Sequence, residues 1–186
     1  MRKFEAVLML GLAFGTVPLF AAHYTIDPAH SSVSFRIKHF VGRVTGVFRD
    51  FSGTIEFDES KMTASKINGE VNVASIDTGN AKRDEHLRSP DFFDTAKFPR
   101  AMLVSKSVDP KAKTITADLT LHGVTKEVQL QYEYFGTAPG KDGKTRLGGA
   151  ATTKIDRRDF GINFDPTGLS LGNEVELIFE IEAMAV

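Results

Sequence analysis

The chain has 186 residues, with 23 basic and 24 acidic side chains, five histidines, and neither cysteine nor tryptophan. That length suits one domain able to bury a sizeable core, and the near balance of charge argues against nucleic acid, which wants a basic face. The lack of cysteine excludes disulfide staples, zinc-thiolate sites and thiol catalysis.

Residues 1–22 read as a signal peptide ahead of a single domain spanning 23–186. Arg2 and Lys3 form a basic start, Ala6 to Val17 an apolar stretch, and Pro18 breaks it ahead of the small residues Ala21-Ala22. The apolar run falls short of the roughly 20 residues that span a bilayer. An uncleaved N-terminal anchor is the alternative. No cysteine follows, so there is no lipoprotein attachment. Removing Arg2, Lys3 and Glu5 leaves 21 basic and 23 acidic residues, a net charge of −2 in place of −1.

From Tyr24 onward the pattern is strand after strand. Val33, Phe35 and Ile37 alternate with polar neighbours, as do Phe51, Gly53, Ile55 and Phe57, and then Ile67, Gly69, Val71 and Val73. Residues 100–108 make a less regular strand. Ile115, Ala117, Leu119 and Leu121 follow, then Val128, Leu130, Tyr132 and Tyr134. Residues 146–156 are ambiguous, and Val175, Leu177, Phe179 and Ile181 close the chain. Each segment carries one apolar and one wet face, the period-2 signature of half-buried strands. Asp109-Pro110-Lys111 and His122-Gly123-Val124-Thr125 read as hairpin turns, and Ala138 to Gly143 as a longer, mobile loop.

One segment breaks the rule. Between the strands, Asn80 to Arg88 is built of helix formers with Asn80 or Thr78 as N-cap, and Ser89-Pro90 reads as a second helical start. Phe98 precedes Pro99 and returns the chain to extended geometry. This is a short helical plug, at about 80–95, in an otherwise all-β chain. About eight antiparallel strands with one apolar stripe each predict a closed barrel, which leaves no exposed edges; a β-sandwich is the rival. An eight-stranded barrel is filled by side chains or holds one small ligand. Gly53, Gly69 and Ala117 fall in phase with the inward stripes and favour a hollow interior, while the 15 phenylalanines would equally fill a solid one.

The chemistry on offer is recognition rather than catalysis. No H-x-x-x-H or H-E-x-x-H spacing marks a metal site, and no G-x-S-x-G elbow marks a nucleophile. Asp156, Asp159 and Asp165 are open to two readings, an acid–base set or a charge-balanced turn around Ile155 to Gly161. Arg83, His86 and Arg88 form the best polar cluster: Arg83 and His86 share a helix face and suit an anionic or oxygen-rich head group. Surface pairing with Asp84, Glu85 and Asp91 is the competing use. Phase carries His39 to the end of its strand, at a barrel mouth.

Several segments taken together resemble one family. They are Tyr24-Thr25-Ile26-Asp27-Pro28-Ala29-His30-Ser31-Ser32-Val33, the plug's Arg83-Asp84-x-His86-Leu87-Arg88-Ser89-x-Asp91-Phe92-Phe93, Phe98-Pro99, Leu119 to Lys126, and Arg158-Asp159-Phe160-Gly161-Ile162. This set is similar to the YceI family of exported, lipocalin-like polyisoprenoid-binding proteins. The resemblance implies an eight-stranded barrel enclosing an apolar tunnel, a periplasmic or secreted location, no established enzyme activity and no cofactor. It also implies an isoprenoid, quinone or fatty-acid-like lipid as ligand; homodimerisation stays open. The alternatives are an enzyme acting on such a lipid through His86 and a nearby carboxylate, or a filled barrel serving as a structural or interaction module. Phase and resemblance together give Phe35, Ile37, Phe51, Ile55, Phe57, Phe92, Phe93, Leu119, Leu121 and Phe179 as tunnel wall. His39, Arg83, Asp84, His86 and Arg88 are the expected head-group residues.

Overall fold

The computed structural model describes residues 21–186; the expected signal segment, up to residue 20, lies outside them. The strands are β1 (Ala22–Ile26), β2 (Ser32–His39), β3 (Gly42–Phe48), β4 (Phe51–Phe57), β5 (Lys66–Asn72) and β6 (Ile76–Asp77). After helix α1 (Ala81–Arg88) come β7 (Arg100–Asp109), β8 (Thr114–Leu121), β9 (Val124–Pro139), β10 (Thr145–Asp156) and β11 (Leu171–Ala185). Every pairing is antiparallel, and the β1–β11 ladder closes the sheet.

Eleven segments make eight barrel strands, because the first three strands are each broken in the middle. β1 and β2 pair with successive stretches of β11, Tyr24 with Ala185 and Phe35 with Leu177. β4 pairs with β1 and β5, while β3 pairs with β2 and β6. The breaks have local causes. Between β1 and β2, Asp27 accepts the Ala29 amide at 3.0 Å and meets His30 at 2.8 Å, turning the chain ahead of Ser32. Between β5 and β6, Asn72 caps a 3₁₀ turn over Val73–Ser75, so Val73 leaves the strand assigned to it. The result is the closed barrel expected from the patterning, and it excludes the sandwich.

Two strands were hard to read in the sequence. β3 lacks clean alternation because Gly46 stands where an inward residue belongs; a Cβ there would collide with the Phe35 ring. β10, the ambiguous stretch, points Leu147, Gly149, Ala151, Thr153 and Ile155 inward, and the small residues among them blur the contrast. The Ala138–Gly143 segment is not a long loop: β9 runs to Pro139, and a tight turn at 140–144 closes with the Gly140 amide donating to the Lys144 carbonyl at 2.7 Å. The His122-Gly123 turn has φ of 52° and 75°, the positive pair a two-residue hairpin matched to strand twist requires.

The plug also differs from expectation in its second half. α1 is capped by Asn80, whose side chain accepts the Arg83 amide, but no second helix starts at Ser89-Pro90. Instead Ser89 Oγ donates to the His86 carbonyl at 2.7 Å, and the amides of Phe93, Asp94 and Thr95 donate to the carbonyls of Leu87, Ser89 and Arg88. The chain thus folds back over the helix C-terminus, and its orphan carbonyls consume the donors that a new helix would need.

Outside, the barrel is charged. Arg36–Glu176, Lys66–Glu56, Arg100–Glu70 and Lys154–Glu174 pair across neighbouring strands at 2.9 to 3.2 Å. A lipid-facing barrel has the opposite pattern. No helix among the described residues is long and apolar enough to cross a membrane.

Candidate functional site

The barrel encloses a cavity of about 460 Å³ with an almost wholly hydrocarbon wall. Phe35, Ile37, Phe51, Ile55, Phe57, Phe92, Phe93, Leu119, Leu121 and Phe179 all line it. Room comes from fewer small residues than expected. A Cβ on Gly53 would meet the Asn68 carbonyl and Ile26, and Ala117 is fully buried within a packed cluster with Val108, Ile115 and Leu130. Gly69 alone of the three opens onto space, with nothing within 4 Å of an added Cβ. Ala151 of β10 also lines the wall, while a Cβ on Gly149 would meet the Glu133 carbonyl, so that glycine is packed like Gly53. The long apolar run of β8, β9 and β11 forms the sides, and the plug closes one end.

At the plug, helix geometry sorts the expected head-group residues into two sets. Arg83, His86 and Leu87, spaced three and four apart, face the cavity, and His39 joins them from the end of β2. Asp84 and Arg88 occupy the adjoining face, away from the cavity, and both hold the plug to the barrel. Asp84 is buried and accepts the Thr78 amide at 2.9 Å as well as the Thr78 hydroxyl. Arg88 donates to the carbonyls of Ala74 and Ile76, each at 2.7 Å. Arg83 is partly committed too, donating Nε to Thr78 Oγ1 at 2.7 Å and one Nη to the Thr78 carbonyl at 2.8 Å. His86 lies 2.8 Å from Asp91 and stands edge-on to the rings of Phe92 and Phe164.

Arg157 is the residue sequence reasoning missed. The expected charge-balanced turn does form, as a 3₁₀ turn with Asp156 and Arg158 paired at its surface, and Asp156, Asp159 and Asp165 do not assemble an acid–base set. Arg157, however, is only 3% exposed. Its guanidinium donates to the carbonyls of Gly172, Ile162, Asp165 and Leu171 and to Asn173 Oδ1, at 2.7 to 3.3 Å. Five bonds from one side chain fasten the 161–173 loop to the barrel rim. The available signal was phase: Arg157 continues the inward row of Thr153 and Ile155.

Asp165 completes this clamp. Its carboxylate accepts from the hydroxyls of Ser170 and Thr167 and from the amides of Ser170 and Leu171, which hold its pKa far below the ordinary carboxylate value. A depressed folded pKa stabilises above the unfolded value of about 4, and the contribution is lost only as pH falls through the lowered one. The Ser170 and Leu171 amides should therefore keep their hydrogen-exchange protection well below pH ~4. In Asp165→Asn that protection should be weak at every pH; equal protection in both proteins would refute the clamp.

At the opposite end, the Ser65 and Tyr134 hydroxyls are buried on the cavity wall with no hydrogen-bond partner among the described residues. Asp27, His30 and Glu182 gather at the surface through the β1–β11 pairing, close enough to share a cation. Asp27 and His30 already satisfy each other there, the pairing raising the His30 pKa and lowering that of Asp27.

Residues 24–183 match the family model described as a YceI-like domain. The chain belongs to the YceI family. Among its relatives, the protein YceI of Escherichia coli O157:H7 is 42% identical over 186 residues, covering 95% of this chain and 96% of the relative. Of solved structures, Burkholderia cenocepacia BcnA superimposes with a TM-score of 0.76 at 22% identity, over 84% of this chain and 98% of that one. A polyisoprenoid binding domain from Saccharophagus degradans, implicated in plant cell wall breakdown, gives 0.68 at 20% identity, over 89% and 99%. The YceI barrel is thus common ground, and the contacts of Asp84 and Arg88 give two residues of the YceI-like plug motif a use in this chain, fastening the plug to the barrel.

Proposed function

We propose that this YceI-family protein is an exported carrier or scavenger of an isoprenoid lipid, a prenyl quinone or prenyl phosphate, held in the barrel. The observation that carries this reading is the hydrocarbon-walled cavity running inward from the plug. Each methylene taken from water into such a wall contributes roughly 0.8 kcal/mol, so a few isoprene units outweigh the cost of ordering them. The Saccharophagus degradans polyisoprenoid binding domain, alike in fold, supports the same ligand class. Binding is favoured over catalysis because the strongest polar groups at the wall, Arg83 and Arg157, are engaged in holding backbone. Export rests on the basic start, the short apolar stretch and Ala21-Ala22; a periplasmic or secreted carrier is where a lipid unable to diffuse through water needs one.

The head group is placed at the plug, beside His39, His86 and the uncommitted Nη of Arg83, with the tail running past Phe92 and Phe93. His39→Ala with His86→Ala should weaken prenyl phosphate binding about tenfold, near 1.4 kcal/mol, within the range for charge-assisted hydrogen bonds. Binding of the neutral prenyl alcohol should hardly change. Equal losses for both ligands would remove the head group from this end.

The reading as a whole is tested by native mass spectrometry of the protein purified from its own periplasm, with lipid extraction. The expected result is a chain shortened by about 21 or 22 residues, as the small-residue cleavage rule requires, carrying a prenyl lipid. A lipid-free chain that also fails to take up prenyl quinone on titration would overturn it.

A further inference from the structure

Two loop tips beside the plug carry large apolar side chains that the fold leaves exposed. The β2–β3 tip presents Phe40 and Val41, 60% and 107% exposed, and the 161–170 loop presents Phe164 and Leu169, 41% and 82% exposed. Backbone pairing makes them one surface: the Phe40 amide donates to the Ser170 carbonyl at 2.8 Å, and His39 pairs with Leu171. Phe40 holds φ of 48°, a left-handed conformation unfavourable for a bulky residue. In the protein alone, its ring meets the edge of His39, 4.8 Å away between centroids, and otherwise stands in water.

This surface is continuous with the cavity. His39 and Phe164 both line it while remaining exposed, and the Phe164 ring lies 4.7 Å from that of Phe92 on the plug. Behind the tip, Lys38 and Arg43 stand opposite one another on β2 and β3, both exposed. The nearby acids do not neutralise them, since Glu174 is paired with Lys154 and Glu176 with Arg36. Apolar tips backed by cations are the side-chain set that seats at a lipid–water interface and favours anionic head groups.

We propose that this rim docks on the surface of an anionic phospholipid bilayer. Phe40, Val41, Phe164 and Leu169 enter the interfacial layer, Lys38 and Arg43 meet the head groups, and the cavity opens onto the hydrocarbon. A lipid then passes between bilayer and barrel without crossing water. The proposal rests on the carrier reading and supplies its missing step.

The lack of tryptophan makes Val41→Trp the sole indole reporter. Its emission should shift to the blue with phosphatidylglycerol–phosphatidylethanolamine vesicles and less so with neutral ones. Phe40→Ser with Leu169→Ser should lower vesicle co-sedimentation by about tenfold or more, as expected for removing two inserting side chains. Lys38→Glu with Arg43→Glu should abolish the preference for anionic vesicles. Titration of the same variants with a short-chain prenyl quinone in solution, where no bilayer is present, should give wild-type affinity. Undiminished vesicle binding by the serine variant, or no response from the V41W reporter, would overturn docking while a positive quinone titration keeps the carrier reading. Failure of wild type to bind the quinone would strike the carrier reading instead. A concentration-dependent dimer lost in the serine variant, with no vesicle response, would reassign the rim to self-association and also overturn docking.

Discussion

Replacing Arg157 with leucine is expected to destabilise the barrel by about 3–5 kcal/mol, since several acceptors lose their donor at a cost of about 1–3 kcal/mol for each one left buried and unpaired. Leucine would fill part of the space, but four carbonyls and Asn173 Oδ1 would lose their donor at a site only 3% exposed. Each buried acceptor left unpaired carries its own desolvation cost, so the losses accumulate. Lysine should recover little of this, because one ammonium cannot reach acceptors spread from Ile162 to Asn173. The measurement is urea unfolding: the midpoint should fall with the slope unchanged. A shift within the half kcal/mol typical of surface substitutions would show that the loop is held by other contacts. Since Ile162, Phe164 and Leu171 line the cavity, a loosened loop should also widen ligand exchange at that mouth.

Gly69→Phe tests the cavity without disturbing the fold. Gly69 sits on the inward phase of β5, between Ile67 and Val71, and an added Cβ would project into open space within the barrel. The ring would take volume now available to a tail. Excluding three or four methylenes forfeits roughly 2–3 kcal/mol, so prenyl quinone affinity should drop roughly 100-fold. Stability should hold or rise, since a buried aromatic replaces a glycine in a strand interior. Gly69→Ala, which adds one methyl to the same space, should leave affinity near wild type. Unchanged affinity in a folded Gly69→Phe protein would mean that the tail does not run past β5.

The plug shows why some site residues could be named in advance but not given their uses. Arg83, Asp84, His86 and Arg88 stand out in the sequence as a charge cluster in a chain of strands. Helix spacing correctly sets Arg83 and His86 on one face. What spacing omits is the partner on the other side. Asp84 and Arg88 turn out to face the 74–78 segment, and a carboxylate or guanidinium that finds backbone amides or carbonyls at 2.7 to 2.9 Å is spent on docking the plug. The wall residues were easier to name, because burial on one face of a strand leaves a period-2 trace that needs no knowledge of the partner strand.

By itself, the sequence determined the antiparallel all-β architecture, the helical interruption at Ala81–Arg88 and eight of the strand side chains on the cavity wall, among them Phe35, Ile55, Leu119 and Phe179. Those are consequences of alternation, capping and proline placement, which act over a few residues. Only the tertiary structure decided where the barrel is hollow. Gly53 and Ala117 are small but packed, Gly69 is small and open, and the difference lies in which distant atoms approach each Cβ. β10 stayed ambiguous for a related reason, since small inward residues erase the hydrophobic contrast that reveals a strand while leaving the space that makes a cavity. Arg157 likewise became a clamp only when the connection between β10 and β11 folded back to bring Ile162, Asp165 and Leu171 to Asn173 around it. A buried cation is tolerable only where several acceptors converge, and that convergence depends on how the β10–β11 connection folds, which residue spacing alone does not reveal.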